Sequence, residues 1–340
     1  MVASYAGREE VSRLEEEEKK AAIKVNVVGV GGCGNNTINN LAKGRTVSKG
    51  AKLIAVNSDV AVLRKTECDT RVLIGGEKSR GAHGVPEVGK RMMEEYLDYA
   101  LGAVDKDADI IIGTCGLGGG TGTGGLPTLL REAKMKFKNA IRLAVVSLPM
   151  QEEGEERHRN AQIGLREIVD SSDMYVINAN DVLVENSRGI TLPYAFRIMD
   201  KRLARVVSSI VRMQSTTVAP GVINVDFSNF QRLAAGGGLG FIGVGEGAKV
   251  HSSMEDALSD DFAGCSLTGA REAIIYFEGK EFLLDSDEVR KATRHVSEHY
   301  RIPTVFMGIR PTWDLRDTRT TIIVSGATSD YVDKFLKGGE

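Results

Sequence analysis

The chain has 340 residues, with 44 lysines and arginines against 46 aspartates and glutamates and a formal net charge of −2. That length exceeds one ordinary domain, so two domains sharing an interface are expected, and the balance of charge excludes a global basic field that would draw nucleic acid or an anionic membrane. No stretch reaches the roughly 20 apolar residues that span a bilayer, and acidic residues stand where a signal peptide carries its apolar segment, which predicts a cytoplasmic protein.

Residues 8–22 pair Glu15 with Lys19 and Glu16 with Lys20 at helical spacing. Their apolar face is almost empty, so a loosely docked N-terminal arm is preferred over a partner-binding helix. From Ile23 apolar runs alternate with helical segments, with strands near 23–30, 52–56, 71–74, 108–113, 141–148 and 174–178. That alternation predicts an α/β fold with a doubly wound parallel sheet. A long helix follows near 193–213, where Phe196, Met199, Leu203, Val206, Val207, Ile210 and Val211 recur at three- and four-residue steps. Beyond the breaker Ala219-Pro220-Gly221, strands near 239–245, 272–278, 304–309 and 319–325 alternate with helices near 251–260 and 286–299, which predicts a smaller α/β domain. Cys33, Cys68, Cys115 and Cys265 are too widely spaced for a metal motif or a disulfide framework and read as reduced packing residues.

The most informative segment is Gly116-Leu117-Gly118-Gly119-Gly120-Thr121-Gly122-Thr123-Gly124-Gly125. So bare a backbone can fold closely around phosphates. It follows the buried-strand run Asp109-Ile110-Ile111-Ile112-Gly113 and is expected to open a helix at Leu126-Pro127, where the helix dipole favours anions. A flexible linker does not sit between an apolar strand and an apolar helix. The lysine of the G-x-x-x-x-G-K-[ST] loop is missing, so amides, the two threonine hydroxyls and a magnesium ion are expected to meet the phosphate charge. The first strand ends in a second such turn, Gly29-Val30-Gly31-Gly32-Cys33-Gly34-Asn35-Asn36. Alone this G-x-G-x-x-G is a weak dinucleotide signal. Two glycine turns on one sheet argue against a nicotinamide dehydrogenase, because one pyrophosphate needs one turn.

The order Gly118-Gly119-Gly120-Thr121-Gly122-Thr123-Gly124 resembles the signature heptapeptide of the tubulin/FtsZ superfamily, and from about Lys24 to about Leu336 the chain is similar to its FtsZ branch of prokaryotic cell-division GTPases. The resemblance implies an arm at 1–22, a GTP-binding domain at 23–192, a central helix and connection at 193–220 and a C-terminal domain at 221–340. It implies that Gly31, Gly32, Cys33 and Asn35 lie beside the α- and β-phosphates, with Asn57 and Asp59 in the loop after the next strand. Arg80-Gly81-Ala82-His83-Gly84 resembles the loop over the γ-phosphate but is one residue shorter; Gly81 and Ala82 are the expected contacts, and His83 is read as an exposed loop residue before a phosphate ligand.

Glu153 and Arg157 match a family pair that touches ribose and phosphates, as a carboxylate accepting from hydroxyls and a guanidinium matching phosphate oxygens would. A solvated helix face is the alternative for this acidic run. Asn180, Phe196 and Asp200 match the family's guanine pocket. Asp200 can accept from guanine N1–H and the exocyclic amine, a donor pair that adenine lacks; Asn180 serves the other groups and Phe196 offers a stacking face.

Asn224-Val225-Asp226-Phe227-Ser228-Asn229 resembles the family's synergy loop N-x-D-x-x-D. A helix of about 20 residues at ~1.5 Å each spans roughly 30 Å, so Asn224 and Asp226 cannot serve the nucleotide of their own chain. A head-to-tail neighbour can present them, which implies an open homopolymer that hydrolyses GTP at the subunit contact. Asn229 stands at the last acidic position, so slow turnover is expected and a scaffold filament with little or no turnover is the alternative. His295 and His299 are spaced to chelate zinc, yet lack a nearby cysteine or carboxylate partner, and a solvated face is preferred. The chain stops at Glu340 without the adaptor-binding tail of many family members, which leaves truncation or another route to the membrane. A membrane adaptor or division proteins are the further partners implied, and a midcell ring the implied location.

Overall fold

The computed structural model describes residues 23–44, 50–182, 191–214 and 223–338; the arm at 1–22 and the breaker at 219–221 lie outside them. Six strands, β1 (Val25–Val30), β2 (Ala51–Asn57), β3 (Thr70–Leu73), β4 (Ile110–Gly116), β5 (Ile141–Leu148) and β6 (Met174–Ala179), form one sheet in the order β3-β2-β1-β4-β5-β6. Every pairing in it is parallel. Parallel strands need crossover helices that cover both faces, which is why β1, β5 and β6 are buried throughout and mostly apolar.

The helices of this half are α1 (Gly31–Ala42), α2 (Val60–Lys65), α3 (Pro86–Glu95), α4 (Leu97–Ala103), α5 (Thr121–Lys136) and α6 (Glu155–Ser171). One face of the sheet packs Val28, Val30, Ile111 and Val146 with Leu126, Leu129 and Leu130 of α5. The other packs Val27, Ile112, Leu143 and Val145 with Ile38 and Leu41 of α1. Strand order reverses between β1 and β4, so their C-terminal ends form the switch point where open α/β sheets bind ligands.

The central helix α7 (Leu192–Gln214) lies within one residue of its expected bounds at each end. Leu203, Val206, Val207 and Ile210 share one core with Val27 and Val145 of the first sheet and Ile274, Tyr276 and Ile323 of the second. After α8 (Phe227–Ala235), the second sheet comprises β7 (Gly240–Gly247), β8 (Glu272–Gly279), β9 (Thr304–Pro311) and β10 (Thr318–Ser325), in the order β7-β10-β8-β9. Here β10 is antiparallel to both neighbours while β8 and β9 are parallel. Helices α9 (Val250–Ser259), α10 (Ser286–His299) and α11 (Asp330–Lys337) complete the chain.

Arg202 joins the halves from the middle of α7. Its guanidinium donates to Asn178 Oδ1 on β6 at 2.6 Å and to Asp260 Oδ1 beyond α9 at 3.1 Å, and lies over the Phe262 ring at 4.1 Å. Burial pulls its pKa down while Asp260 pushes it up.

One local expectation is corrected. The glycine segment does not precede its helix but enters it: α5 begins at Thr121, five residues before Leu126. Glycine is a poor helix former, but α3 packs so closely that a Cβ on Gly124 would meet Pro86 O at 2.0 Å. Packing thus selects both the helix and the bare backbone. Gly124→Ala is therefore expected to destabilise the protein by about 1–3 kcal/mol, an overpacking cost, whereas Gly102→Ala, on α4 with no atom within 4 Å of the added Cβ, should be neutral or gain about 0.5–1 kcal/mol. Urea denaturation midpoints of the two variants check this.

Candidate nucleotide-binding site

α1 and α5 start at the C-terminal ends of β1 and β4, and neither receives a side-chain hydrogen bond at its N-cap or carries an acid in its first turn. Helix N-termini leave up to four amides without intrahelical partners, and the dipole adds positive potential there. Two such ends meet here. A Cβ on Gly31, whose φ is +74°, would lie 3.1 Å from Gly122 N, so the turns touch backbone to backbone. This arrangement suits phosphate.

The two turns open onto a cavity of about 490 Å³. Of the predicted residues, its wall brings together Gly31, Gly32 and Cys33 from the first turn, Gly119, Gly120, Thr121 and Gly122 from the second, Glu153 and Arg157 after β5, Asn180 after β6, and Phe196 and Asp200 on α7. Asn36, Ser147 and Met199 also stand in the wall, though sequence reasoning did not single them out. Asn36 was visible only as one more polar residue in the first motif.

The other predicted residues stand outside the wall. Asn35 and Asn57 are buried and engaged with each other: Asn57 Nδ2 donates to Asn35 Oδ1 at 2.7 Å, and Asn35 Nδ2 donates to Gly29 O at 3.0 Å. They brace the ends of β1 and β2. Asp59 caps α2, accepting from the Ala61 and Val62 amides at 2.8 and 3.3 Å. Gly81 N–H donates to Ser58 O at 3.2 Å, and Ala82 is buried under Gly120. His83 is exposed, with φ +50°. Gly118 N–H donates to Thr123 Oγ1 at 2.9 Å, which fixes the shape of the second turn, while Gly124 packs on α3. Ser58 and Thr121 join the loop after β2 to that turn through hydroxyls 2.6 Å apart.

Glu153 Oε1 accepts from Met150 N–H at 2.9 Å, and Oε2 pairs with Arg157. Asn180 Oδ1 is buried without a hydrogen-bond partner, an unspent acceptor on a residue of the cavity wall. Asp200 accepts from Asn36 Nδ2 at 3.2 Å; burial raises its pKa and Asn36 offsets part of that rise. Burial pushes the Cys33 thiol up to about 12, which leaves it neutral and a poor nucleophile. A larger hollow of about 570 Å³ lies between β3 and α4. Its Arg71 guanidinium is engaged by Thr66 O at 2.6 Å and it has no glycine turn, so chemistry rather than volume selects the first cavity.

Asn224, Asp226 and Asn229 lie at the start of α8, beyond the far end of α7, whose 23 residues span roughly 35 Å at ~1.5 Å each. Asp226 occupies the N-cap of α8 yet makes no side-chain hydrogen bond to it, whereas Asp285 caps α10 by accepting two amides at 3.0 Å. Asn229 is the third residue of α8, its N–H bonded to Asp226 O at 2.9 Å. His295 and His299 stack with ring centroids 4.9 Å apart, and no trio of His, Cys, Asp or Glu that could hold a metal occurs among the described residues.

Convergent amides, a carboxylate beside a guanidinium, and an aromatic face with two acceptors define an α/β nucleotide-binding protein. The model of the Tubulin/FtsZ family, GTPase domain, matches residues 24–188. The cell division protein FtsZ 1 of Pyrococcus abyssi is 33% identical over 333 residues, covering 94% of this chain and 87% of that protein. The empty FtsZ dimer of M. jannaschii superposes with a TM-score of 0.82 at 32% identity, over 93% of this chain and 92% of that one. A GTPγS-bound protofilament of CetZ2 from Haloferax volcanii gives a TM-score of 0.81 at 22% identity, a likeness of fold. This chain belongs to the tubulin/FtsZ family.

Asp200 supplies a test through pH. Burial holds its carboxyl above the ordinary 3.8, so in the window above that value the folded protein retains a proton that the unfolded chain has lost, and this contribution to stability falls as pH rises. Asp200→Asn keeps an acceptor for Asn36 and removes the buried charge. The empty variant should be more stable than wild type at neutral pH, with the gain shrinking as pH falls and vanishing below 3.8. Denaturant titrations across that range measure it; a gain independent of pH would contradict the assignment.

Proposed function

We propose that the chain binds GTP or GDP in this cavity, assembles head to tail with copies of itself, and hydrolyses GTP where one subunit's α8 loop meets the next subunit's cavity. The observation that carries the proposal is the division of labour along α7. Phe196 and Asp200 stand at one end, in the cavity wall, and the uncommitted Asp226 carboxylate lies past the other. One chain cannot bring them together; a stacked neighbour can.

In this reading, the amides of α1 and α5, the Thr121 hydroxyl and Arg157 hold the phosphates, and Glu153 takes the ribose hydroxyls. Two acceptors, Asp200 and Asn180 Oδ1, suit the donor edge of guanine, with Phe196 against the ring. Because no trio of metal-holding side chains is present among the described residues, a magnesium ion would arrive on the phosphate oxygens, with the Ser58 and Thr121 hydroxyls as neutral protein oxygens at hand; bound there it would offset phosphate charge. The neighbour's Asp226 orients the attacking water, and Asn229 offers an oxygen without charge. The free Asp226 carboxylate favours turnover over a static scaffold.

The relatives named as cell division proteins favour a role in division, and with that role go the further proposals of a place in the cytoplasm at a midcell ring and of recruitment through a membrane adaptor or division proteins. Among the described residues no helix is long and apolar enough to cross a membrane.

Three variants test the mechanism together. Asp226→Ala should bind GDP as a monomer with wild-type affinity and lose about 10²–10⁴ in polymer turnover. Asn229→Asp should raise turnover at least tenfold, about 1.4 kcal/mol of barrier, without tightening GTP binding. Asp200→Ala should bind GTP no better than ATP. Equilibrium binding and phosphate release at equal polymer mass are the measurements; weakened monomer binding in Asp226→Ala would place that residue in its own chain's pocket and contradict the proposal.

A further inference from the structure

Asp181 stands outside the cavity wall, yet it follows Asn180 directly and both of its carboxylate oxygens are engaged. Oδ1 accepts the Gln151 N–H at 2.9 Å, at the start of the short turn Gln151–Glu153 that delivers Glu153 to the cavity. Oδ2 accepts the Tyr331 hydroxyl at 3.1 Å, from α11 at the end of the second half. That helix is laid against the first half elsewhere too. Arg166 of α6 donates to Leu336 O at 2.5 Å, and the His158 and Phe335 rings lie 5.8 Å apart. The carboxylate of the residue next to Asn180 thus joins two things, the loop of Glu153 and the last helix.

Hydrogen bonds to an ionised carboxylate are roughly twice as strong as neutral ones, and two donors fix its orientation better than one. If the Gln151–Glu153 loop shifts, the Asp181 carboxylate shifts with it, and its hydrogen bond with the Tyr331 hydroxyl is strained. We infer that Asp181 is a positioning residue that couples occupancy of the cavity to the docking of α11, an inference that rests on the reading of the cavity as a guanine-nucleotide site. Linkage makes the coupling reciprocal: nucleotide that fixes Glu153 and Asn180 tightens α11, and a docked α11 tightens nucleotide.

Hydrogen–deuterium exchange of the full chain with and without GDP, beside equilibrium GDP binding, tests this in wild type, Asp181→Asn, Asp181→Ala and Tyr331→Phe. In wild type GDP should slow exchange of the α11 amides at least threefold. Asp181→Asn should keep that response and bind GDP within threefold of wild type, because its Oδ1 still accepts from Gln151 and its amide can donate to the Tyr331 oxygen. Tyr331→Phe should still bind GDP while α11 no longer responds. Asp181→Ala should lose the response and weaken GDP at least tenfold. GDP binding with no change in α11 of wild type, or an undiminished response in Tyr331→Phe, would overturn the coupling while leaving the site reading intact; failure of wild type to bind GDP would overturn both.

Discussion

The site depends on one contact, the meeting of two turns with no side chains between them. At Gly34 a Cβ would lie 2.5 Å from Thr114 O, and at Gly122 it would lie 3.0 Å from Cys115 Cβ and from Gly116 O. Those atoms all belong to β4, while Gly34 belongs to α1 and Gly122 to α5. A side chain at Gly34 would push α1 off β4 and one at Gly122 would push α5 off it, and either shift would displace a set of amides at the cavity. Close packing is therefore what concentrates positive potential at the switch point, without a lysine.

The second constraint is the length of α7. A helix of this size serves as a rigid spacer whose buried stripe fills both halves of the molecule at once. Arg202, paired with Asp260 and bonded to Asn178, fixes the rotation of α7 between the sheets. In the proposed function this spacer holds the base acceptor Asp200 apart from the Asn224–Asp226 loop. Under that proposal, separation of pocket and carboxylate is a property of the fold, and assembly is the step that completes the site.

Much of this was legible in the chain. Buried parallel strands show as continuous apolar runs, and α7 shows as a clean three-and-four periodicity. The order of the second sheet was not legible, since an antiparallel β10 between β7 and β8 leaves no mark in periodicity. Nor was the start of α5, where packing of α3 on bare backbone outweighs the low helix propensity of glycine. Asn35 and Asn36 show the finer limit. Consecutive helix residues point about 100° apart, so only the rotation of α1 decides which one braces β2 and which one meets Asp200. Asp181 was illegible for another reason: its partner Tyr331 is 150 residues away, and nothing local marks the pair.

The central claim is that two subunits share one hydrolytic site, and a mixing experiment addresses it without depending on any absolute rate. Asp226→Ala keeps a complete cavity, and Asp200→Ala keeps a complete α8 loop. Each should release little phosphate from GTP alone. Mixed in equal amounts under assembly conditions, they should recover a substantial fraction of wild-type phosphate release, because the loop of one completes the cavity of the other. A mixture no more active than the sum of its separate components would contradict the account.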